Sequence, residues 1–193
     1  MIKNINITII RRIIMKICLY GAGSSQIKSK YFDESYKLGE EIAKRGHSLI
    51  FGGGSTGVMG AVSKGVIDNN GKVLGIAPKW MEEYEGMFKD CDEFIYTMSM
   101  DERKSLFLKH SDAFIIAPGG IGTLDEFFEI IVLKKLHQHD KKIIVFNMFG
   151  YYDPMFEMID FMIEEGFMKE EIDINTFKIA DSIEQVFKLL EKE

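Results

Sequence analysis

The chain has 193 residues, 46% hydrophobic and 28% charged, with a formal net charge of −6 from 24 basic and 30 acidic side chains. At roughly 150 residues per domain this is one compact domain, large enough to bury about 70% of its unfolded surface, and the composition excludes an intrinsically disordered chain. The acidic balance, with no basic stripe, argues against nucleic acid as the main partner, and no apolar run reaches the ~18 residues of a membrane span. Cys18 and Cys91 sit in no CxxC or Cys/His cluster, so a reduced, cytoplasmic setting without a cysteine metal site is expected.

Residues 1–14, MIKNINITIIRRII, mix apolar and basic side chains, lack a small-residue cleavage site, and read as an appendage to a domain spanning 15–193. From Met15 the pattern alternates. Apolar runs at 17–20, 48–51, 72–77, 93–96, 113–117 and 142–146 read as strands. Helical patterns fall between them at 32–45, 58–67, 101–110 and 124–137, and amphipathic helices are expected to fill most of the tail from Asp153. Asn69-Asn70-Gly71 is a turn signal. Leu124, Phe127, Phe128, Ile130, Ile131, Val132, Leu133 and Leu136 circle one helix, which predicts that it is largely buried. Short, continuous apolar strands separated by helices indicate a parallel sheet covered on both faces. The expected fold is therefore a three-layer, doubly wound (Rossmann-like) α/β domain, with its ligand site at the carboxyl ends of the strands.

Glycine-rich segments at 21–25, 52–57 and 119–123 each follow an apolar run. In Pro118-Gly119-Gly120-Ile121-Gly122-Thr123, glycine allows close backbone approach to an anion, and the following helix start adds unpaired N–H groups suited to phosphate. A single such loop is equally a plain tight turn; convergence on one sheet edge is what points to a ligand. The first loop, Gly21-Ala22-Gly23-Ser24-Ser25, is the weakest of these signals. Arg103 and Lys104 open one helix and Asp125 and Glu126 another, so all four lie at strand carboxyl ends. Neighbouring helical residues project about 100° apart, so only one of Asp125 and Glu126 is expected to face the cleft, and Asp125 reads more simply as an acid complementing the helix dipole.

The segments FGGGSTGVMG (51–60), MDERK (100–104) and PGGIGTLDE (118–126) resemble the signatures of the LOG ("lonely guy") family of cytokinin riboside 5'-monophosphate phosphoribohydrolases, whose older label was "possible lysine decarboxylase". HSDAF (110–114) and HDKK (139–142) extend the resemblance across about residues 16–150. No local context supplies a pyridoxal phosphate lysine, so decarboxylation is rejected. The resemblance implies hydrolysis of the N-glycosidic bond of a nucleoside 5'-monophosphate to free base and ribose 5-phosphate, with no cofactor or metal and a homodimeric state. It places catalysis on Arg103 and Glu126 and substrate contacts on Glu85, Lys104, Gly119, Gly120, Ile121, Gly122, Thr123, Leu124 and Asp125. Gly53, Gly54, Thr56 and Gly57 would line the cleft from the second loop. Val132-Leu133, Asp101 and Asp125 depart from the plant pattern, which leaves AMP and a prenylated adenine nucleotide as alternative substrates.

Cleavage develops oxocarbenium charge on the ribose. A carboxylate in a helix first turn is held ionised, so Glu126 is expected to stabilise that cation or orient water, with Arg103 as an electrostatic clamp. No donor for the leaving base is evident in the sequence. The competing reading is a nucleotide or molybdenum-cofactor carrier of the same fold without turnover. His137 and His139 are expected at the surface, Cys18 in the core, and Trp80 in a structural loop role. Phe156, Ile159, Met162 and Ile163 are at the spacing of a helix face that packs inward or covers a subunit interface.

Overall fold

The structure, a computed structural model, describes residues 14–83, 86–169 and 176–192. Seven described strands form one parallel sheet: β1 (Lys16–Tyr20), β2 (Ser48–Phe51), β3 (Lys72–Pro78), β4 (Glu93–Thr97), β5 (Ala113–Ile116), β6 (Lys142–Phe146) and β7 (Lys178–Ala180), in the order β4-β3-β2-β1-β5-β6-β7. The helices are α1 (Ser29–Lys44), α2 (Gly57–Asp68), α3 (Met100–His110), α4 (Ile121–Lys135), α5 (Asp153–Glu164) and α6 (Ile183–Glu191), with 3-10 turns at Lys79–Glu83 and Met148–Gly150.

Side chains alternate across β1, and both faces are covered. Ile17 and Leu19 join Leu38, Ile42, Val62, Val66 and Phe187 in a core beneath α1, α2 and α6. Cys18 and Tyr20 join Phe107, Phe127, Ile130 and Ile159 beneath α3, α4 and α5. The sheet order reverses at β1, which pairs β2 on one side and β5 on the other, in register Ile17↔Leu49 and Ile17↔Ala113. The chain leaves β1 for one helical layer and β5 for the other. A crevice therefore opens between their carboxyl ends, closed at its base by hydrogen bonds from Ala117 N to the Tyr20 carbonyl (2.8 Å) and from Ala22 N to the Pro118 carbonyl (3.0 Å).

Several expectations are corrected. α4 begins at Ile121 rather than Leu124, because Gly120 is already its N-cap. It is not buried all round: it forms part of an outer layer, so Thr123, Phe127, Ile130 and Ile131 face in while Phe128, Val132 and Leu136 lie exposed on the other side. His137 is exposed, but His139 is half-buried, with Nε2 2.9 Å from the Ile130 carbonyl, where it ties the end of α4 to the turn that follows. On α5, Phe156, Ile159 and Ile163 pack inward on the core and Met162 is half-buried, while Met158 and Phe161 are exposed. β7 was not expected. Of residues 1–14, only Ile14 lies among the described residues, and it is exposed. No helix among the described residues is long and apolar enough to cross a membrane.

Candidate active site

Arg103 is positioned from both ends of its helix turn. The Ser99 hydroxyl caps α3 by accepting from Glu102 N (3.1 Å), and the Glu102 carboxylate accepts from Met98 N (2.7 Å), the residue before the cap, so both contacts fix where the helix starts. Arg103, one residue further on, is buried and reaches across the strand ends. Its Nε donates to the Ile76 carbonyl (3.2 Å) on β3 and Nη2 to the Gly52 carbonyl (3.3 Å) just beyond β2. The remaining terminal nitrogen, Nη1, contacts the Met81 and Met100 sulfurs at 3.8 Å and lies 3.7 Å from Glu126 Oε1. The guanidinium is thus held by main-chain carbonyls and turns one edge to Glu126. Gly52 has no room for a side chain, since a Cβ there would collide with Nη2.

Glu126 is the sixth residue of α4, in its second turn, and α4 has no acid in its first turn. This corrects the expectation of a dipole-stabilised carboxylate. Burial dominates instead and, with Asp125 and Glu129 adding to it and Arg103 and Lys104 opposing, pushes the Glu126 carboxyl from the ordinary 4.5 to about 7. Glu126 turns inward while Asp125 lies on the rim with its side chain 55% exposed. Lys104 does not join the cavity wall. Its Nζ lies 2.7 Å from Asp125 Oδ2 and 2.6 Å from Glu129 Oε2.

The pair stands at the head of a cavity of about 300 Å³ at the sheet's switch point. Its walls are the first glycine loop (Gly21, Ala22, Gly23, Ser24), the start of α4 (Gly120, Gly122, Thr123, with Asp125) and three methionines, Met59, Met81 and Met100. The N-cap of α4 is Gly120, which has no side chain, so no side chain caps the first-turn N–H groups on the cavity wall. The methionines are the lining that the sequence did not single out, and the first loop, its weakest glycine signal, proves to be part of the wall. Methionine is a common core residue, and a lone glycine turn is equally structural.

The second loop supports the site rather than lining it. Gly53 and Gly54 are buried behind Arg103, and Gly53 takes φ +84° against the Phe94 ring. Thr56 and Gly57 border a separate hollow between α1 and α2, while the Thr56 hydroxyl donates to the Gly23 carbonyl and ties this loop to the first. Gly119 lines another hollow beside Tyr151, whose hydroxyl donates to its carbonyl (2.8 Å). Ile121 is exposed and Leu124 packs on the core. Glu85 lies outside the described residues. Among those described, no group of three or more His, Cys, Asp or Glu is placed to hold a metal ion.

Residues 59–190 match the family described as "possible lysine decarboxylase". The chain is 41% identical over 153 residues to the cytokinin riboside 5'-monophosphate phosphoribohydrolase LOG3 of Arabidopsis thaliana, covering 79% of this chain and 71% of the relative. It is 37% identical over 176 residues to the phosphoribohydrolase LOG of Oryza sativa subsp. japonica, covering 91% and 73%. Among solved structures, a molybdenum cofactor binding protein from Rippkaea orientalis superposes with a TM-score of 0.68 at 26% identity, over 92% of this chain and 95% of that one. A Moco carrier protein from Chlamydomonas reinhardtii does so with a TM-score of 0.68 at 19% identity, over 91% and 94%, a likeness of fold. By sequence, the chain belongs to the LOG family, which bears the description "possible lysine decarboxylase".

Proposed function

We propose that the protein hydrolyses the N-glycosidic bond of a purine or cytokinin riboside 5'-monophosphate, releasing the free base and ribose 5-phosphate. The observation that carries this reading is the buried Arg103–Glu126 pair beside the uncapped start of α4; the activity named for the LOG relatives supports it. The α4 amides receive the 5'-phosphate, which directs the ribose C1' toward Glu126. With its carboxyl near 7, Glu126 is protonated in about half of the molecules at neutral pH, and this acid form donates its proton to the departing base. This supplies the donor missing from the sequence reading. The carboxylate left behind faces the oxocarbenium ion and offsets its charge. Water then adds to C1', and its proton returns to Glu126. Arg103, fixed by two carbonyls, stabilises the charged form of the carboxylate between the two steps.

AMP and isopentenyladenosine monophosphate are both candidate substrates; the methionines at the cavity wall are adaptable enough to accept an apolar base substituent. Comparison of kcat/KM for AMP, isopentenyladenosine monophosphate and adenosine tests the reading. Adenosine cleaved as fast as AMP would contradict the phosphate subsite. A homodimer pairing the exposed Phe128–Val132–Leu136 face of α4 is part of the same reading, as is a reducing, cytoplasmic compartment in keeping with the free Cys18 and Cys91. A carrier function would require the pair to bind without turnover. A buried carboxyl raised to about 7 is matched to proton transfer near neutral pH, which favours the enzyme over the carrier.

A further inference from the structure

Each member of the buried pair has a charged neighbour in sequence. Lys104 follows Arg103 on α3, and Asp125 precedes Glu126 on α4. Glu129 lies four residues beyond Asp125, so both carboxylates project from one side of α4. Lys104 sits between them at 2.7 and 2.6 Å with its own side chain only 16% exposed. Burial pulls the Lys104 ammonium down, but its hydrogen bonds to Asp125 and Glu129 outweigh this and leave it more firmly protonated than usual. The cavity wall runs from Arg103 to Asp125 and Glu126 without it. Among the described residues, the ion pairs joining α3 to α4 are these two and the longer Arg103–Glu126 contact at 3.7 Å.

We propose that Lys104, clasped between Asp125 and Glu129, is a positioning residue that locks α3 to α4 at the level of the Arg103–Glu126 pair, and that Glu129 is the acid that keeps it out of the substrate cavity. Arg103 and Glu126 stand on different helices, and no hydrogen bond between their side chains sets their separation. The clasp, one residue away on each helix, does. It also tunes the field at Glu126. The charged and titratable groups facing that carboxyl are Arg103 and Lys104 from α3, Asp125 and Glu129 from α4, and Tyr20 and Cys18 from β1. Lys104 lowers its proton affinity, whereas Asp125 and Glu129 raise it. Removing the two ends of the clasp must therefore shift Glu126 in opposite directions.

The test titrates Glu126 in the free protein by carboxyl-carbon NMR of glutamate-labelled protein, its resonance assigned by loss in Glu126→Gln. Glu129→Gln should lower the midpoint and Lys104→Met raise it, each by about half a unit or more, with Lys104→Arg close to the parent. Midpoints that stay put, or that move the same way in both variants, overturn the proposal. Turnover supplies the second readout, and this arm alone rests on the phosphoribohydrolase reading. Glu129→Gln should cost about tenfold or more in kcat through misplacement of the pair, with KM little changed. An effect of Lys104→Met or Glu129→Gln confined to KM would make Lys104 a substrate contact and defeat the positioning role. A parent protein without turnover would defeat the functional reading and leave the titration as the deciding measurement.

Discussion

Replacing Glu126 with glutamine should stabilise the fold while removing the activity. In the folded protein the carboxyl keeps its proton up to about pH 7, whereas in the unfolded chain it releases it near the ordinary 4.5. Between those values the folded state binds more protons than the unfolded one, so stability falls as pH rises from 4.5 through 7. The difference of about two and a half pH units, at about 1.4 kcal/mol each, amounts to about 3 kcal/mol. Glutamine has nearly the same shape and no proton to lose. Glu126→Gln should therefore match the parent near pH 4.5 and exceed it by about 3 kcal/mol at pH 8, or roughly 6–12 °C in Tm for a chain of this length. Urea and thermal unfolding of both proteins at pH 5 and pH 8 measure this. A variant no more stable than the parent at pH 8, or one that is more stable by the same margin at both pH values, refutes burial as the source of the raised carboxyl.

The same titration sets the activity profile: log kcat/KM should fall by one unit per pH unit above about 7, as the acid form of Glu126 is lost, and a rising limb there would contradict its role as proton donor. Arg103→Met should lower kcat by about 10²–10³-fold, the scale for one stabilising donor. It should also lower stability by about 1–3 kcal/mol for each of the Ile76 and Gly52 carbonyls left without a partner, read by single-turnover base release and urea unfolding; a variant with parental turnover would remove Arg103 from the mechanism. Gly52→Ala places a methyl group against the Arg103 guanidinium. A displacement of about 1 Å there should cost about a hundredfold in kcat, and unchanged kinetics would show that the guanidinium need not sit where it does.

The parallel sheet was legible because strands buried on both faces are apolar throughout, and the segments at 48–51 and 142–146 stand as read. β7 escaped because it is an edge strand of three residues with only Ala180 buried, which leaves no apolar run. The start of α4 was misplaced because Gly120, Ile121 and Gly122 carry no helical signature. That the helix begins there follows from Gly120 as N-cap and from its position over the crevice. This local error had a chemical consequence. It set Glu126 in a first turn, where a carboxylate ionises readily, and so hid the proton donor. The burial that raises Glu126 was hidden because the groups that face it from other elements, Arg103 and Lys104 on α3 and Tyr20 and Cys18 on β1, are distant from it in sequence. The pairing of Arg103 with Glu126 was legible through the family resemblance that MDERK and PGGIGTLDE carry, but the capture of Lys104 by Glu129 was not, since nothing in a helix sequence says which neighbouring helix it will face.

The most direct measurement incubates the purified protein with AMP and with isopentenyladenosine monophosphate and quantifies free base and ribose 5-phosphate, with Glu126→Gln alongside. Equimolar base and ribose 5-phosphate from the parent and none from the variant, with nucleotide binding retained by both, is the predicted result. Base release by Glu126→Gln at the parental rate, or tight nucleotide binding by the parent with no release from either substrate, would contradict the account.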